Sequence, residues 1–183
     1  MELTQLRPEK LIFSTSRLNI RAMRAEDWRD FHRLQSAPDM LKYISEPLDE
    51  QAIKDKFKRC LTCWQASENW HNLMIFEKDS DAFVGCFGFR ISNEHSQRAE
   101  IGFLALSNNQ GKGYVSEAGT AVIDFLLNSL KVKKIEAFCS TDNMASSKVL
   151  QRLNLKQEGM LVCDHLVGEQ WQNSYVYGLV NQQ

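Results

Sequence analysis

The chain has 183 residues and a mass of 21.1 kDa, and 43% of its residues are hydrophobic, which suits one well-packed domain and is short for two. The formal net charge is −1 and no block of lysine and arginine stands apart from the acids, which argues against a nucleic-acid-binding face. No apolar run reaches the roughly 20 residues that a membrane helix requires. We therefore predict one domain over residues 1–183, with neither nucleic-acid nor membrane partners.

The five cysteines are an odd number at irregular spacing, and the first residues lack the basic start and apolar core of a signal peptide. Cys60 and Cys63 form a C-x-x-C, but no second pair could complete a zinc site, so we expect them to pack in the core. His32, His71 and His95 have no partner at metal-ligand spacing. The sequence thus predicts a reduced, cytoplasmic protein without a metal.

The first third of the chain predicts a loose leader, one strand and two helices. Residues 1–14 form the leader, and polar and apolar residues alternate over residues 17–24 as in a strand. Asp27 can cap a helix whose apolar face carries Trp28, Phe31 and Leu34, and a second helical pattern covers residues 53–64. The short passage between these two helices is either a plain connection or part of a substrate cleft.

Three strands follow, at residues 70–77, at 83–91 and around Glu100. Asp79, Ser80 and Asp81 are turn formers, so the first two strands are expected to form a hairpin. Gly85 and Gly88 lie inside the second strand and indicate a bulge or a close backbone approach.

The stretch of residues 108–118 joins a strand, a glycine turn and a helix. Apolar residues after the turn recur with the period of one helix face, at Val115, Ala118, Gly119, Val122, Ile123, Leu126, Leu127 and Leu130. Gly111 and Gly113 allow a tight turn in which several backbone N–H groups converge at the positive end of the helix dipole. That geometry binds phosphate, although the same glycines could form nothing more than a tight loop.

Two common phosphate loops do not fit this stretch. A Walker loop is excluded because Lys112 is followed by Gly113 and Tyr114, and a dinucleotide fingerprint is excluded because Ser116 stands where its third glycine belongs. Beyond the helix, the pattern predicts a strand at residues 134–140, a helix at 143–153 and two strands at 155–163 and 171–180. The order β-α-α-β-β-β-α-β-α-β-β predicts an α/β fold with helices on both faces of one sheet.

Three segments resemble the GNAT superfamily of N-acetyltransferases. The glycine turn resembles its acyl-CoA loop, Arg/Gln-x-x-Gly-x-Gly/Ala, with Gly111 and Gly113 matching and Asn108 departing at the first position. Residues 143–155 resemble the family's Asn-x-x-Ser helix, with Asn154 and Leu155 replacing its final Gly-Phe. Residues 15–21, Thr-Ser-Arg-Leu-Asn-Ile-Arg, are typical of the RimJ/RimL branch.

The resemblance implies the GNAT fold, with a single mixed, mostly antiparallel central sheet. In that fold the strands that contain Glu100 and Ala137 run parallel but splay, and pantetheine enters the gap. The resemblance also implies acetyl-CoA as cosubstrate. The residues expected to bind it are Leu104, Leu106, Gln110, Gly111, Lys112, Gly113, Tyr114, Val115, Ser116, Asn143, Ser146 and Lys148.

Acetyl transfer to an amine requires a proton for the departing CoA sulfur. By resemblance to RimL-like proteins, Ser146 is the donor, although a helical serine can instead bond back to a main-chain carbonyl. Many family members use a tyrosine further along this helix, where Leu150 stands here. Tyr175 and Tyr177 are reserve donors, but aromatic residues that alternate along a strand more often belong to the core.

Two carboxylates are candidates for the base that accepts the amine proton. Glu100 is a lone acid in an apolar strand, so it is either catalytic or half of an ion pair. Asp164 matches the carboxylate of RimL-like proteins and is placed in the loop between the last two strands, where an aspartate is ordinarily a turn former. His165 adjoins it and could titrate with it.

The resemblance therefore predicts an acetyl-CoA-dependent N-acetyltransferase in which a primary amine attacks directly within a ternary complex. The first choice of acceptor is the N-terminal α-amino group of a protein or peptide, because its deprotonation at pH 7 costs about 1 kcal/mol against about 4 to 5 for a lysine side chain. Alternatives are a small amine (amino acid, polyamine or antibiotic) and a non-catalytic CoA-binding module. The oligomeric state, monomer or homodimer, is left open.

Overall fold

The structure is a computed structural model that describes residues 6–62 and 69–182. Its strands are β1 (Ile12–Ser14), β2 (Leu18–Ala22), β3 (His71–Glu77), β4 (Phe83–Asn93), β5 (Arg98–Ala105), β6 (Lys134–Ser140), β7 (Lys156–Val167) and β8 (Gln170–Val180). They form one sheet in the order β1-β2-β3-β4-β5-β6-β8-β7. The β5–β6 pair is parallel and the other neighbouring pairs are antiparallel. The prediction of a single mixed, mostly antiparallel sheet is confirmed.

The helices among the described residues are α1 (Trp28–Ser36), α2 (Pro38–Leu41), α3 (Glu50–Thr62), α4 (Tyr114–Asp124) and α5 (Met144–Arg152). A π-helical turn, Phe125–Ser129, continues α4. The predicted order of elements is present, with β1 and the short α2 in addition. Cys63 and Trp64, at the predicted end of the second helix, lie outside the described residues. None of the helices described is long and apolar enough to cross a membrane.

The last residues of the predicted loose leader form a strand in the structure. Ile12–Ser14 pairs with residues 19–21 of β2, and Leu11 before it is fully buried. This pairing could not be seen in the sequence because a strand of three residues is too short to show alternation.

Helices pack on both faces of the sheet, as predicted. On β3, Leu73 and Ile75 point into a large core with α4 and α5, which we call the α4/α5 face. Met74 points the other way, towards Phe31 of α1 and Phe57 of α3, on what we call the α1/α3 face. Because side chains alternate along a strand, this assigns a face to every residue of the central strands.

The second predicted strand carries the irregularity that its glycines indicated. The β3–β4 register shifts between Ile75 and Phe76, opposite residues 83–85. A Cβ atom added to Gly85 would lie 2.3 Å from the carbonyl oxygen of Leu104, so this position requires glycine. The predictions of a bulge and of a close backbone approach are both confirmed.

The last hairpin corrects one prediction. Asp164 was expected in a loop, but it lies within β7, which continues to Val167 after a register shift between Leu161 and His165. Cys163 has a positive φ of 51° in this irregular stretch. The bulge breaks the alternation of the strand, so the sequence pattern ended the strand too early.

Candidate active site

The glycine turn has the backbone conformation that the sequence predicts. Gly111 and Gly113 have φ values of 76° and 82°, in the left-handed region that favours glycine, and Gly113 is the N-cap of α4. The first N–H groups of a helix have no partner within the helix. A Cβ atom at Gly111 would meet nothing within 4 Å, so the turn faces open space. It therefore presents unpaired N–H groups on an accessible surface.

The side chains around this turn fit a phosphate group. Ser116, in the first turn of α4, has a buried hydroxyl oxygen for which the described residues provide no partner. The Lys112 amine donates to Asn109 Oδ1 at 3.3 Å and lies 5.8 Å from the centroid of the Tyr114 ring. A hydroxyl without a described acceptor and a lysine ammonium beside a helix N-terminus match the pyrophosphate of CoA.

The other candidate CoA residues differ in which of their groups a ligand could reach. Gln110 donates from Nε2 to the carbonyl of Ala105 at 3.3 Å, and the Tyr114 hydroxyl bonds to Glu77. Leu106 and Val115 are buried, and the Leu106 backbone already pairs with Val84 and Asn109. Of these two residues, Val115 in the first turn of α4 is the one whose backbone N–H has no partner within the helix. The side chain of Leu104 lines a cavity on the α1/α3 face, and Lys148 is exposed on α5.

A contact that the sequence analysis missed fixes the start of α4. Glu117 accepts hydrogen bonds from Thr15 Oγ1 at 2.6 Å, Ser16 Oγ at 3.0 Å and the Arg17 backbone N–H at 3.0 Å. The Arg17 guanidinium lies 2.7 Å from the same carboxylate and donates to the carbonyl of Lys112 at 3.1 Å. The segment typical of the RimJ/RimL branch thus holds the glycine turn in place.

The hydrogen bonds of Glu117 can be tested by measuring how the stability of the protein changes at low pH. Burial raises the pKa of Glu117, but hydrogen bonds from Thr15, Arg17 and Ser16 outweigh it and lower the pKa to about 2. A carboxylate whose pKa is lowered on folding stabilises the protein above its unfolded value of 4.5, and this stabilisation is lost as the pH falls towards 2. Losing a charged hydrogen bond costs about 1.5 kcal/mol, or roughly 3–6 °C in Tm for a chain of this size.

We therefore expect Glu117→Gln to lower Tm at pH 7, and the difference from the wild type to shrink as the pH falls below about 4.5. Thermal unfolding at several pH values between 7 and 3 measures it. Glu169→Gln, at the exposed β7–β8 turn, is the control and should follow the wild type. A Tm difference for Glu117→Gln that does not change with pH would contradict the assignment.

The parallel strands β5 and β6 separate after a short paired stretch. Their backbones pair only from Arg98–Lys134 to Glu100–Glu136, although β5 continues to Ala105 and β6 to Ser140. The gap expected from the family resemblance is present.

A cavity of about 290 Å³, which we call the first cavity, lies at this gap. Its wall includes Ala137, Cys139, Ser146 and Leu150 from the α4/α5 face and Glu100, Gly102, Ser140 and Ser174 from the α1/α3 face. The cavity is therefore lined from both faces of the sheet. A thioester that enters from one side can therefore meet an amine that enters from the other.

Ser146 lies in the first turn of α5 and lines this cavity. Asn143 caps the helix, and its Oδ1 accepts the Ser146 backbone N–H at 3.1 Å. Within residues 6–62 and 69–182 the structure gives the Ser146 hydroxyl no hydrogen bond, so the back-bonded alternative is not what is observed. Tyr177 is buried in the α4/α5 core and Tyr175 packs against it, and neither reserve donor lines the cavity.

Asp164 and His165 also line the first cavity. Asp164 Oδ2 lies 3.6 Å from His165 Nδ1, and the Ser174 hydroxyl lies 3.4 Å from the same nitrogen. His165 Nε2 is 3.2 Å from the carbonyl oxygen of Tyr43, in the passage between α2 and α3. Tyr43 and Ile44 themselves line the cavity, which favours the cleft interpretation of this passage over a plain connection.

Glu100 forms the ion pair that the sequence analysis left as one of two possibilities. Arg90 binds it through Nη2 at 2.6 Å and Nε at 2.8 Å. The guanidinium lies 5.5 Å from the ring centroid of Trp70, and Cβ atoms at Gly88 and Gly102 would approach that indole to 3.1 Å. Arg90 and Trp70 were not predicted, because only the β4–β5 register reveals that Arg90 faces Glu100.

The chain is similar to known acetyltransferases. Residues 17–156 match the family model described as "Acetyltransferase (GNAT) domain". The chain is 27% identical over 175 residues to the uncharacterized N-acetyltransferase YnaD of Bacillus subtilis (strain 168), covering 93% of this chain and 97% of that protein. It is 30% identical over 148 residues to the uncharacterized N-acetyltransferase p20 of Bacillus licheniformis, covering 80% of this chain and 83% of that protein.

Solved structures share the fold. A GNAT-family acetyltransferase from Bacillus anthracis superposes with a TM-score of 0.82 at 24% identity, covering 94% of this chain and all of that one. Spermidine N-acetyltransferase from Vibrio cholerae, in complex with CoA and spermine, superposes with a TM-score of 0.80 at 17% identity. The match covers 91% of this chain and 97% of that one. Ribosomal-protein-S5-alanine acetyltransferase from Vibrio fischeri superposes with a TM-score of 0.80 at 15% identity, and the match covers 94% of this chain and 98% of that one. At these identities the superpositions bear on the fold alone.

Proposed function

The chain belongs to the GNAT acetyltransferase family and is an acetyl-CoA-dependent N-acetyltransferase, and we propose that its acceptor is the N-terminal α-amino group of a protein or peptide. One observation carries the proposal: Ser146 on α5 and Asp164 on β7 line the same cavity, whose wall includes residues from both faces of the sheet. A proton donor for the sulfur and an acceptor for the amine proton can thus serve one reaction centre.

In the proposed mechanism each group of residues has one role. The N–H groups of the glycine turn, with Lys112 and the Ser116 hydroxyl, hold the pyrophosphate, and acetyl-CoA supplies the acetyl thioester. The amine attacks directly within the ternary complex. Asp164, beside His165, takes the amine proton, and Ser146 gives a proton to the departing sulfur. Glu100, bound by Arg90, shapes the wall of the cavity.

The acceptor class is tested by the release of free thiol from acetyl-CoA with three kinds of amine. The set is a peptide with a free α-amine, the same peptide with a blocked N-terminus and a free lysine, and a polyamine or aminoglycoside. We expect turnover with the first, because its amine is the easiest to deprotonate at pH 7. Faster turnover with the polyamine or aminoglycoside would instead establish a small-amine acetyltransferase.

Asp164→Asn should lower kcat/KM for an α-amine peptide about fivefold to tenfold at pH 7. The factor is small because an amine with a pKa near 7.8 reaches its neutral form at pH 7 for only about 1 kcal/mol without a base. The loss should shrink above pH 8, where the amine is already neutral, so the pH profile of kcat/KM measures it.

Glu100→Gln is the matched comparison on the other candidate carboxylate. Since Arg90 is its partner at 2.6 Å, we expect Glu100→Gln mainly to lower the free energy of unfolding. Two results together would reverse the roles: full activity in Asp164→Asn, and a kcat/KM in Glu100→Gln that no longer falls towards low pH as it does in the wild type.

We further propose that residues 1–183 act as one domain in a reducing, cytoplasmic setting. In support, Cys60, Cys86, Cys139 and Cys163 are all free thiols, and burial raises the pKa of Cys86 to about 12, which makes it a poor redox group. Labelling with a thiol reagent should modify exposed Cys163 and spare Cys86 in the folded protein.

A further inference from the structure

A second cavity of about 360 Å³ lies on the α1/α3 face of the sheet. Its wall is built from α1, α3 and the adjacent surfaces of β3, β4 and β5. Ile44, Trp70, Gly102 and Phe103 line both this cavity and the first one. The two cavities are therefore neighbours that share a wall on the side from which an amine would approach.

The charged side chains that line the second cavity are both positive. Lys56 and Arg59 lie one turn apart on α3, and no Asp or Glu of the described residues lines the same space. The Lys56 amine donates to the neutral amide of Gln35 at 2.8 Å. Burial is the main cause that lowers the pKa of Lys56. The cavity thus holds positive charge without a described counter-ion.

This arrangement differs from that of two partly buried arginines on the sheet. Arg21 is bound by Asp27 at 2.7 Å and Arg90 by Glu100 at 2.6 Å, so each is neutralised within the protein. A partly buried ammonium whose partner is only an amide is poorly stabilised until an anion binds. The positive charge of Lys56 and Arg59 also repels any acceptor that carries several positive charges.

We propose that the acceptor carries a carboxylate that Lys56 and Arg59 bind, while its amine reaches the first cavity. This inference rests on the proposed amine acceptor and narrows its class. Lys56 does not line the first cavity and Asp164 does not line the second, so amine and carboxylate are held at separate places. A free α-amino acid carries both groups on one carbon. An Asp or Glu side chain next to the N-terminus of a peptide separates them and fits better.

The test uses three peptides that differ only at the second residue, which is Glu, Gln or Lys. For the wild type we expect kcat/KM to be about tenfold higher with Glu than with Gln, the scale of a charge-assisted hydrogen bond, and lowest with Lys. Lys56→Glu should reverse the order, raising kcat/KM for the Lys peptide while lowering it for the Glu peptide. Misfolding cannot produce changes in opposite directions.

Lys58→Glu is the matched control, since Lys58 is an exposed residue of the same helix that lies outside both cavities. It changes the net charge equally and should keep the wild-type order of peptides. Equal kcat/KM values for the three peptides, or an order that Lys56→Glu leaves unchanged, would overturn the inference. So would a free α-amino acid that reacts faster than the Glu peptide, because its amine and carboxylate lie on one carbon.

A pair of small amines separates failure of this inference from failure of the proposed function. 4-Aminobutyrate and 1,4-diaminobutane both have four carbons and a primary amine at one end. The other end of the chain is a carboxylate in the first and a second amine in the second. If small amines react and no peptide does, the proposed acceptor is wrong. The carboxylate site then stands if 4-aminobutyrate reacts faster and falls if 1,4-diaminobutane does.

Discussion

We expect Gly113→Val to abolish detectable binding of acetyl-CoA. Gly113 has a φ of 82°, which a β-branched residue adopts only at a cost of more than about 1 kcal/mol. Its added Cβ would lie 3.6 Å from the Arg17 guanidinium, and the branched methyl groups would extend into the space in front of the first N–H groups of α4. Both the backbone conformation and the access of the pyrophosphate are lost together. Isothermal titration calorimetry on the folded variant measures the effect.

Gly159→Val is the matched control for this substitution. Gly159 lies in β7, and a Cβ atom there would meet nothing within 4 Å, so valine fits at that position. We expect the acetyl-CoA Kd of Gly159→Val to equal that of the wild type. Unchanged affinity in a folded Gly113→Val would mean that the glycine turn is not the phosphate site, and the proposed placement of CoA would fail with it.

The parts of the site that depend on local backbone chemistry could be predicted from the sequence. Gly111 and Gly113 predict a turn with left-handed backbone conformations, and both residues have positive φ values in the structure. Asn143 is the N-cap of α5, and Asn154 ends that helix with a φ of 65°, as its replacement of the family's glycine required. Each of these features is set by residues within one or two turns of each other, so a short window of sequence contains the whole cause.

The parts that depend on strand register could not be predicted. Arg90 faces Glu100 because the chain turns back between β4 and β5 and brings together residues that are ten positions apart, and no local pattern fixes such a pairing. The bulge in β7 places Asp164 inside a strand, where the sequence indicated a loop. Glu117 finds its partners about one hundred residues earlier in the chain, at Thr15 and Arg17. Long-range contacts of this kind are decided by packing and not by local propensity.

Ser146→Ala should lower kcat by roughly 100-fold or more while changing the Kd of acetyl-CoA little. A general acid acts only as the carbon–sulfur bond breaks, so its loss appears in the transition state and not in cosubstrate binding. Asn143 would still cap α5 through the backbone N–H of residue 146, which the substitution keeps, so the helix should remain in place. Pre-steady-state measurement of thiol release, alongside calorimetry for acetyl-CoA, separates the two quantities.

Ser147→Ala, one residue further along α5, is the control. Its hydroxyl is buried at 3.3 Å from the Cys139 sulfur and does not line the first cavity, so we expect some loss of stability and a kcat near that of the wild type. A near-normal kcat in Ser146→Ala would leave solvent as the proton source, since Tyr175 and Tyr177 face the core on the other side of β8 from Ser174. In that case the thiolate would depart unaided, and kcat should then depend on the thiol pKa of the CoA analogue used.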